Sequence, residues 1–348
     1  MIDFRYHLVS LISVFIALAI GIVLGAGPLR DSLGDQLSDQ VEQLRTEKEE
    51  MRTANDAMTV ENDQLAGYIQ ASAPQLLDAT LEGTTIALVT EEDSTRSQVD
   101  AVEADILAAG GQVGPRISLQ SALWSPDGAE QRSDALAQLR GIDPALLAEG
   151  EDDIAVLGGT IAGLLSGDAE EDGPDAQTRA EAWEALRSSQ LIALDGDPAR
   201  IDAVAYLGAE PAALAVDTED AETAGKRAQS LLTMQTSLLL GLVAADTPTV
   251  VSAVTTADTS SDGILSTVRT DSRFRSLSTT DRLTQADGPV LAVLALAEQL
   301  RGGVGDYGTA SDADSRLPEV DRAAPLPGQS ADAGGAGTAP EPSDGGEG

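Results

Sequence analysis

The chain has 348 residues, a formal net charge of −37, one histidine and no cysteine, and its length leaves room for one medium domain with extensions. The negative charge excludes a general nucleic-acid-binding protein, because phosphate contacts require lysine and arginine side chains. The lack of cysteine excludes disulfides, thiolate metal sites and cysteine nucleophiles, and the lone His7 leaves no histidine-based triad or metal centre for the globular part.

The first predicted element is a single membrane-spanning helix within residues 1–28. Leu8 to Ala26 reads LVSLISVFIALAIGIVLGA and carries no charge, which is enough to cross ~30 Å of hydrocarbon as a helix. A cleavable signal peptide is the alternative, because the small residues from Gly25 to Gly27 satisfy a lax cleavage rule. The length of the apolar run favours an uncleaved anchor in the membrane lipid.

The charges that flank this segment say little about its orientation. Arg5 precedes it and Arg30 follows it, whereas the positive-inside rule needs a clear excess on one side. We expect the N-terminus inside and the large domain outside the cytoplasm.

Small residues mark one face of the predicted span. Ala17, Gly21 and Gly25 recur every four residues, and such a face allows two membrane helices to approach closely. The pattern predicts a helix-packing face within the membrane.

A coiled coil is predicted next, at residues 29–72, after a break expected at Gly27-Pro28. Apolar residues recur every seven positions at d, and the matching a positions include three polar residues. The d positions are Leu37, Leu44, Met51, Met58 and Leu65, and the a positions are Val41, Lys48, Asn55, Asn62 and Ile69. Apolar d with some polar a residues is typical of a parallel two-stranded coil with a fixed register. In this frame Glu47 at g and Arg52 at the following e form an ion pair between the strands. We therefore predict a homodimer.

Two alternatives to this interpretation remain open. A single amphipathic helix that packs on its own domain would show a similar pattern. Met51 and Met58 also form a candidate soft-metal pair for copper, although methionine at successive d positions is more often gap-filling core.

The opening sequence MIDFRYHLVSLISVFIALAIGIVLGAGPL resembles the actinobacterial copper transporter MctB family, which includes the SteB cell-division proteins. The likeness extends to the glycine-rich segment RGGVGDYG, which ends at Gly308. For some members the resemblance implies copper homeostasis and a channel role in the outer envelope. For others it implies partnership with the membrane protein SteA in controlling a peptidoglycan hydrolase at the septum. The resemblance assigns no catalytic residues to this chain. Copper as a cofactor is implied by the resemblance alone.

An α/β domain is predicted at residues 74–302, because short apolar runs alternate with helical patterns. The predicted strands are Thr85 to Thr90, Val113 to Leu119, Ile154 to Gly158, Leu191 to Asp195, Ala213 to Val216, Val250 to Val254 and Val290 to Leu294. The predicted helices include Ser94 to Ala109, Ala176 to Ser189 and Asp220 to Ala244. This alternation indicates a Rossmann-like, doubly wound parallel sheet, built either as one sheet or as two half-domains.

Doubly wound folds bind ligands in the turns that follow the carboxyl ends of the strands. Glu91-Glu92-Asp93-Ser94 has no glycine loop, and its carboxylates would repel a phosphate. GGTIAG, from Gly158 to Gly163, lacks the dinucleotide spacing and is predicted to be a tight strand-to-helix connection. Asp195-Gly196-Asp197 is a candidate Mg²⁺ site, although Asp197-Pro198 also has the residues of a helix start.

Residues 303–348 are rich in Gly, Ala, Asp and Pro, and we predict a disordered tail because they cannot bury enough apolar surface. Asp168 to Asp175, DAEEDGPD, is predicted to be an exposed acidic loop.

Three classes of function compete on the sequence. A non-enzymatic envelope scaffold or regulator with a SteA-like protein partner is favoured, because no catalytic set is visible. A copper efflux or homeostasis component that forms or assists an envelope channel is the second. A Mg²⁺-dependent hydrolase centred on Asp195 and Asp197 is the third.

Overall fold

The structure is a computed structural model that describes residues 4–91, 96–166, 174–198, 201–209, 220–253 and 263–326, without the side chains of residues 4 and 24–36. The chain divides into two compact units, Met1–Gly67 and Tyr68–Gly348. The helices are α1 Phe4–Leu77, α2 Arg96–Ala108, α3 Ala129–Ile142, α4 Asp153–Ser166, α5 Ala176–Ser188, α6 Ala221–Ala244, α7 Ile264–Thr270 and α8 Gly288–Gln299. The strands are β1 Thr85–Glu91, β2 Gln112–Leu119, β3 Ile192–Asp195, β4 Ala203–Gly208, β5 Thr249–Ala253, β6 Ser278–Thr280 and β7 Asp306–Tyr307.

In unit 1, the residues that the structure describes belong to helix α1. Its segment Arg5–Val23 is long and apolar enough to cross a membrane, with a mean hydropathy of 2.3 over 19 residues and no buried side chain. The predicted break at Gly27-Pro28 is wrong, since α1 continues through both residues. Proline removes one N–H from the hydrogen-bond ladder, but the turns on either side continue the helix. Helix α1 continues past the predicted coiled-coil segment 29–72 and ends at Leu77.

The described residues of unit 2 form one mostly parallel seven-stranded sheet with helices, which confirms the predicted α/β class. The strand order is β3-β2-β1-β4-β5-β6-β7. Neighbouring strands are parallel except for β3, which runs antiparallel to β2 at one edge. From β1 the chain moves outward to β2 and β3 and then returns to place β4 on the other side of β1. This reversal is the topological switch point at which doubly wound sheets bind ligands.

Helices cover both faces of the sheet. Along β1, Ala87 and Val89 face one apolar core and Ile86 and Leu88 face the other, because successive strand residues point to opposite faces. Residues of α3 to α7 contribute to the first core. The end of α1 and residues of α2 and α8 contribute to the second. Strands buried on both faces explain the continuous apolar runs in the sequence.

Several predicted elements are confirmed with small shifts of their ends. They are the strands at Thr85, Val113, Leu191 and Val250 and the helices at Ser94, Ala176 and Asp220. The side chains of Asp175 and Asp220 accept the backbone N–H of Thr178 and Thr223, at 2.7 and 2.9 Å, and so cap α5 and α6. Most of the acidic loop before Asp175, residues 167–173, lies outside the described residues. The predicted strand Ala213 to Val216 lies outside them as well.

Two predicted strands are helices. Ile154 to Gly158 lies in α4, and Val290 to Leu294 lies in α8. Most residues of both helices are buried, so they show the long apolar run that a buried strand also shows. GGTIAG is therefore part of a helix rather than a connection. A Cβ atom on Gly158 would lie 2.8 Å from the carbonyl oxygen of Met234 in α6, so this glycine permits the close approach of α4 and α6.

The predicted disorder of residues 303–348 is wrong for residues 303–326. This segment contributes β7, and Leu326 is buried against the second core. Gly308 has a φ of +138°, and a Cβ there would clash with the Asp281 carboxylate. Glycine thus lets the backbone wrap around a buried acid. Residues 327–348 lie outside the described residues.

Candidate functional site

An exposed apolar stripe runs along α1 in unit 1. We define it as Leu37, Val41, Leu44, Met51, Met58 and Leu65, which occupy a and d positions of the heptads. Each exposes between 46% and 67% of its surface. Full burial of one such side chain is worth about 1.5–3 kcal/mol. The apolar stripe is therefore a surface on which association with another helix would release a large free energy.

The polar heptad residues lie along the same helix. Lys48, Asn55 and Asn62 are exposed, and their pairing across two strands stays a prediction. The carboxylate of Glu47 accepts a hydrogen bond from Gln43 Nε2 at 2.9 Å. Its predicted ion pair with Arg52 would join two chains, so that pair stays a prediction.

The small-residue face of the membrane segment is open. Ala17 is exposed, and a Cβ built on Gly21 would meet nothing within 4 Å. Gly25 lies among the residues whose side chains are not described. The Ser13 hydroxyl donates to the Val9 carbonyl at 2.7 Å, so this polar group is satisfied within its own helix. Packing of a second helix on this face stays a prediction.

At the carboxyl edge of the sheet, β1 ends in a buried acid. Glu91 is 0% exposed and accepts hydrogen bonds from the Tyr206 hydroxyl, from Gln235 Nε2 at 2.9 Å and from the Ala209 N–H at 2.5 Å. Burial raises the pKa of Glu91 against the opposing effect of these donors, and it raises that of Tyr206 as well. The sequence placed this carboxylate in a ligand-facing turn, but the acid points into the core.

The residues that follow three strands at this edge lie outside the described part of the chain. They are residues 92–95 after β1, 210–219 after β4 and 254–262 after β5. Glu92, Asp93 and Ser94 of the predicted acidic turn belong to this group.

The candidate Mg²⁺ site at Asp195 and Asp197 gains no support. Asp195 at the end of β3 pairs with Arg116 at 3.2 Å, and among the described residues no three His, Cys, Asp or Glu side chains form a metal-binding group. The predicted helix start at Asp197-Pro198 is also wrong. Gly196, with a φ of +90°, turns the chain, and β4 begins soon afterwards at Ala203.

A groove of about 380 Å³ lies beside Asp195, on the face of the sheet that carries α2. Arg96, Arg116 and Ser118 line it. The Arg116 guanidinium also binds Glu103 of α2, so the charge of Arg116 is already paired with two carboxylates.

Sequence reasoning missed a buried charge cluster around Arg269 of α7. The guanidinium contacts Asp281 at 3.3 Å and Asp312 at 2.7 Å, and its Nε donates to Thr279 of β6 at 2.8 Å. The Asp281 carboxylate also accepts the N–H groups of Thr309 and Ala310, at 2.9 and 3.0 Å. The cluster fixes the segment after β7. Its members are scattered along the sequence, so no local motif signals it.

Comparison with known proteins gives a consistent result. The family described as "Copper transport outer membrane protein, MctB" matches residues 1–318. A copper transporter MctB of Mycobacterium leprae is 32% identical over 330 residues, which cover 90% of this chain and 98% of that protein. Proteins of the same name from Mycobacterium bovis and Mycobacterium tuberculosis are 27% identical over 323 residues, with the same coverage.

Proposed function

The chain belongs to the MctB family, and from that membership we propose that it is a non-enzymatic, membrane-anchored coiled-coil protein of the cell envelope. In this proposal α1 crosses the membrane once and pairs with α1 of a second copy. The α/β unit lies outside the cytoplasm and acts as a scaffold or regulator. Its protein partner is a SteA-like membrane protein, through which it influences a peptidoglycan hydrolase.

The exposed apolar stripe carries this proposal. A parallel pair would bury its six residues in each chain at once. Two chains anchored in one membrane leave it in the same direction. Their α1 helices can therefore pair in parallel without either chain turning back. The polar Lys48, Asn55 and Asn62 would meet their counterparts in the partner, which fixes a single register.

The role in cell division rests on the family resemblance rather than on any single contact. The family includes SteB proteins, and the N-terminal block that carries the likeness lies within the matched residues 1–318. A pull-down of the full-length protein from detergent-solubilised envelope tests this part. We expect a SteA-like protein to be recovered, and recovery of copper proteins alone would contradict the proposal.

Dimerisation is tested with two substitutions of equal chemistry on opposite faces of α1. Leu44 at d is 63% exposed and Val60 at f is 56% exposed. Leu44→Asp should raise the dimer dissociation constant at least about 100-fold, because two leucines lose ~1.5–3 kcal/mol of burial each. Val60→Asp should leave it unchanged. Light scattering of the full-length protein in detergent measures both.

A monomeric wild-type protein, or equal effects of the two substitutions, would contradict the dimer. Equal effects would mean that the charge rather than the position matters.

Copper homeostasis is the second candidate, because the similar mycobacterial proteins are named copper transporters. Met51 and Met58 are 67% and 62% exposed, one heptad apart. In a parallel dimer each layer would bring two thioether sulfurs together, and these are ligands that Cu(I) accepts. Competition for Cu(I) with a chelator should show binding that Met51→Leu with Met58→Leu abolishes. Unchanged binding in that variant would exclude these residues.

A further inference from the structure

The last described segment of the chain lies across unit 2 in an extended form. Residues 316–326 form neither helix nor strand, and most of them are exposed. Leu326 is only 4% exposed, and Val320 packs half-buried on the second core. We call residues 316–326 the strap. The residues that it contacts belong to unit 2, which begins at Tyr68.

An arginine anchors the strap on the end of helix α1. The Arg322 guanidinium donates to the carbonyl oxygens of Leu76 and Asp78, at 2.5 and 3.3 Å. The last carbonyls of a helix lack partners within the helix and form the negative end of its dipole, so they favour a cation. Arg322 is itself exposed, and water can therefore replace it. This anchor selects a positive charge but is readily exchanged.

A leucine is the second anchor. Leu326 comes four residues after Arg322, a stretch that spans at most about 14 Å. Between the two anchors, the carbonyl oxygen of Ala324 accepts a hydrogen bond from Arg301 Nε at 3.2 Å. Pro325 fixes its own φ angle, which lowers the entropy that this stretch loses when it binds.

Between these anchors the backbone of the strap is weakly held. The Ala324 N–H donates to the Asp321 carbonyl within the strap at 3.1 Å, and the Glu319 N–H lies 3.4 Å from the Glu298 carboxylate. Few buried contacts and exposed backbone groups are typical of segments that open locally. Two anchors therefore have to offset the conformational entropy of the whole segment.

Unit 2 has contacts beneath the strap that do not involve it. Arg301 Nη1 donates to the carbonyl oxygens of Thr80 and Ala297, at 2.9 and 2.6 Å. These bonds tie the end of α8 to the turn before β1 whether or not the strap is bound. The family match ends at residue 318, so the anchors Arg322 and Leu326 lie beyond the part of the chain that the family model covers.

We propose that the strap is a detachable intramolecular ligand, which occupies a docking groove for an extended peptide at the ends of α1 and α8. The groove selects an arginine and, four residues later, a leucine, because helix carbonyls favour the cation and the second core accepts the apolar side chain. While the strap is bound, its high effective concentration excludes other peptides. When it leaves, a segment of a partner protein with the same two anchors binds in its place. This inference does not depend on the proposed dimer.

A labelled copy of the strap is the probe for this groove. A fluorescent peptide with the sequence of residues 316–326, RLPEVDRAAPL, is titrated with the full-length protein in detergent, and its anisotropy is measured. Leu326→Asp should release the strap, because a buried carboxylate is costly, and should bind the peptide at least about tenfold more tightly than the wild type. Leu317→Asp is the matched control. Leu317 lies in the same segment but is 62% exposed, so this variant should bind as the wild type does.

The anchors are tested in the probe itself. A peptide that carries Arg322→Ala or Leu326→Asp should bind the Leu326→Asp protein at least about tenfold more weakly than the unaltered peptide. Equal binding of all three peptides would contradict the selection of these two side chains. Equal peptide binding by the Leu326→Asp and Leu317→Asp proteins would overturn the release of the strap.

Two further outcomes would overturn the proposal. Loss of the cooperative unfolding transition in Leu326→Asp would show that the strap is part of the core rather than detachable. An oligomer that Leu326→Asp dissociates and Leu317→Asp preserves, seen by light scattering, would assign the groove to the strap of a second copy instead of a partner protein. Arg322→Ala leaves the apolar anchor in place and should raise the affinity for the peptide about threefold or more; an unchanged affinity would remove Arg322 as an anchor.

Discussion

At the scale of single residues, unit 2 depends on buried polar groups that join distant parts of the chain. Arg269 and Asp281 expose 2% and 0% of their side chains. A buried ion pair contributes little over an apolar pair, but removal of one partner strands a charge in the core. Glu91 is a second buried acid, at the switch point of the sheet, and its carboxylate accepts hydrogen bonds from Tyr206, Gln235 and the Ala209 N–H.

Arg269→Ala should lower the free energy of unfolding by about 3–5 kcal/mol, because Asp281 is left buried without its cation. Hydrogen exchange should also accelerate in residues 306–315, which this cluster holds. Arg273→Ala is the matched control. It breaks an exposed pair with Asp271, in which Arg273 is 62% exposed, and should cost no more than about 1 kcal/mol. Equal losses of unfolding free energy in Arg269→Ala and Arg273→Ala, measured by chemical denaturation, would show that the cluster does not stabilise the fold.

Glu91 predicts a pH dependence of stability with a definite sign. Its folded pKa lies above the ordinary value of 4.5 because of burial, so the folded protein holds this proton more tightly than the unfolded chain. The free energy of unfolding contributed by Glu91 should fall as the pH rises from about 4.5 towards the folded pKa. Glu91→Gln should flatten this slope in denaturant titrations. Burial raises the pKa of Asp105 to about 6. Asp105 titrates in both the wild-type protein and Glu91→Gln, so its contribution cancels when the two slopes are compared. Equal slopes of the unfolding free energy against pH in the wild type and in Glu91→Gln would contradict the prediction.

At the scale of elements, glycine decides how closely α4 and α6 approach. Gly158→Ala would place Cβ 2.8 Å from the Met234 carbonyl oxygen and should destabilise the protein by about 1–3 kcal/mol. Gly163→Ala, in the same helix, meets nothing within 4 Å. It should stabilise the helix by up to about 1 kcal/mol, because alanine has the higher helix propensity. Thermal unfolding of the two variants distinguishes these effects. A loss of stability in Gly163→Ala similar to that in Gly158→Ala would contradict the close contact of α4 and α6 at Gly158.

The same elements show how far the sequence predicts the fold. Ile86 to Val89 and Val250 to Val251 indicated strands correctly, because β-branched runs between turn residues are typical of buried parallel strands. The equally apolar α4 and α8 were predicted as strands, because a fully buried helix loses its amphipathic period. Strand β6 was missed because Ser278, Thr279 and Thr280 have no apolar signal. All three are fully buried, and side-chain partners such as Ser252 and Asp306 satisfy the hydroxyls.

Heptad spacing is local, so the sequence alone identifies the apolar stripe, and the structure leaves each of its members exposed. The role of the stripe as a dimer interface stays a prediction. The cluster around Arg269 depends on contacts between residues more than ten positions apart, which periodicity cannot reveal. Strand β4 was missed as well, since Ala203 to Gly208 is short and rich in alanine and glycine.

At the scale of the whole molecule, the proposal is that two chains are joined along α1. Family membership supports the proposed setting in the envelope, and the exposed apolar stripe is the observation that motivates the pairing. Parallel pairing in register is the part of the proposal to test first, because the proposed roles of the polar a positions and of the Met51 and Met58 layers depend on it.

Distances between spin labels in the full-length protein in lipid nanodiscs test this claim most directly. Thr46 and Val60 both lie at f positions and are exposed, so Thr46→Cys and Val60→Cys each carry a label outside the interface. A parallel dimer in register gives the same inter-label distance at both sites, and that distance is set by the width of the coil and its two labels alone. Different distances at the two sites would indicate an antiparallel pair, equal distances longer than that width would indicate a staggered pair, and the absence of a dipolar signal would indicate a monomer. Either result would contradict the account.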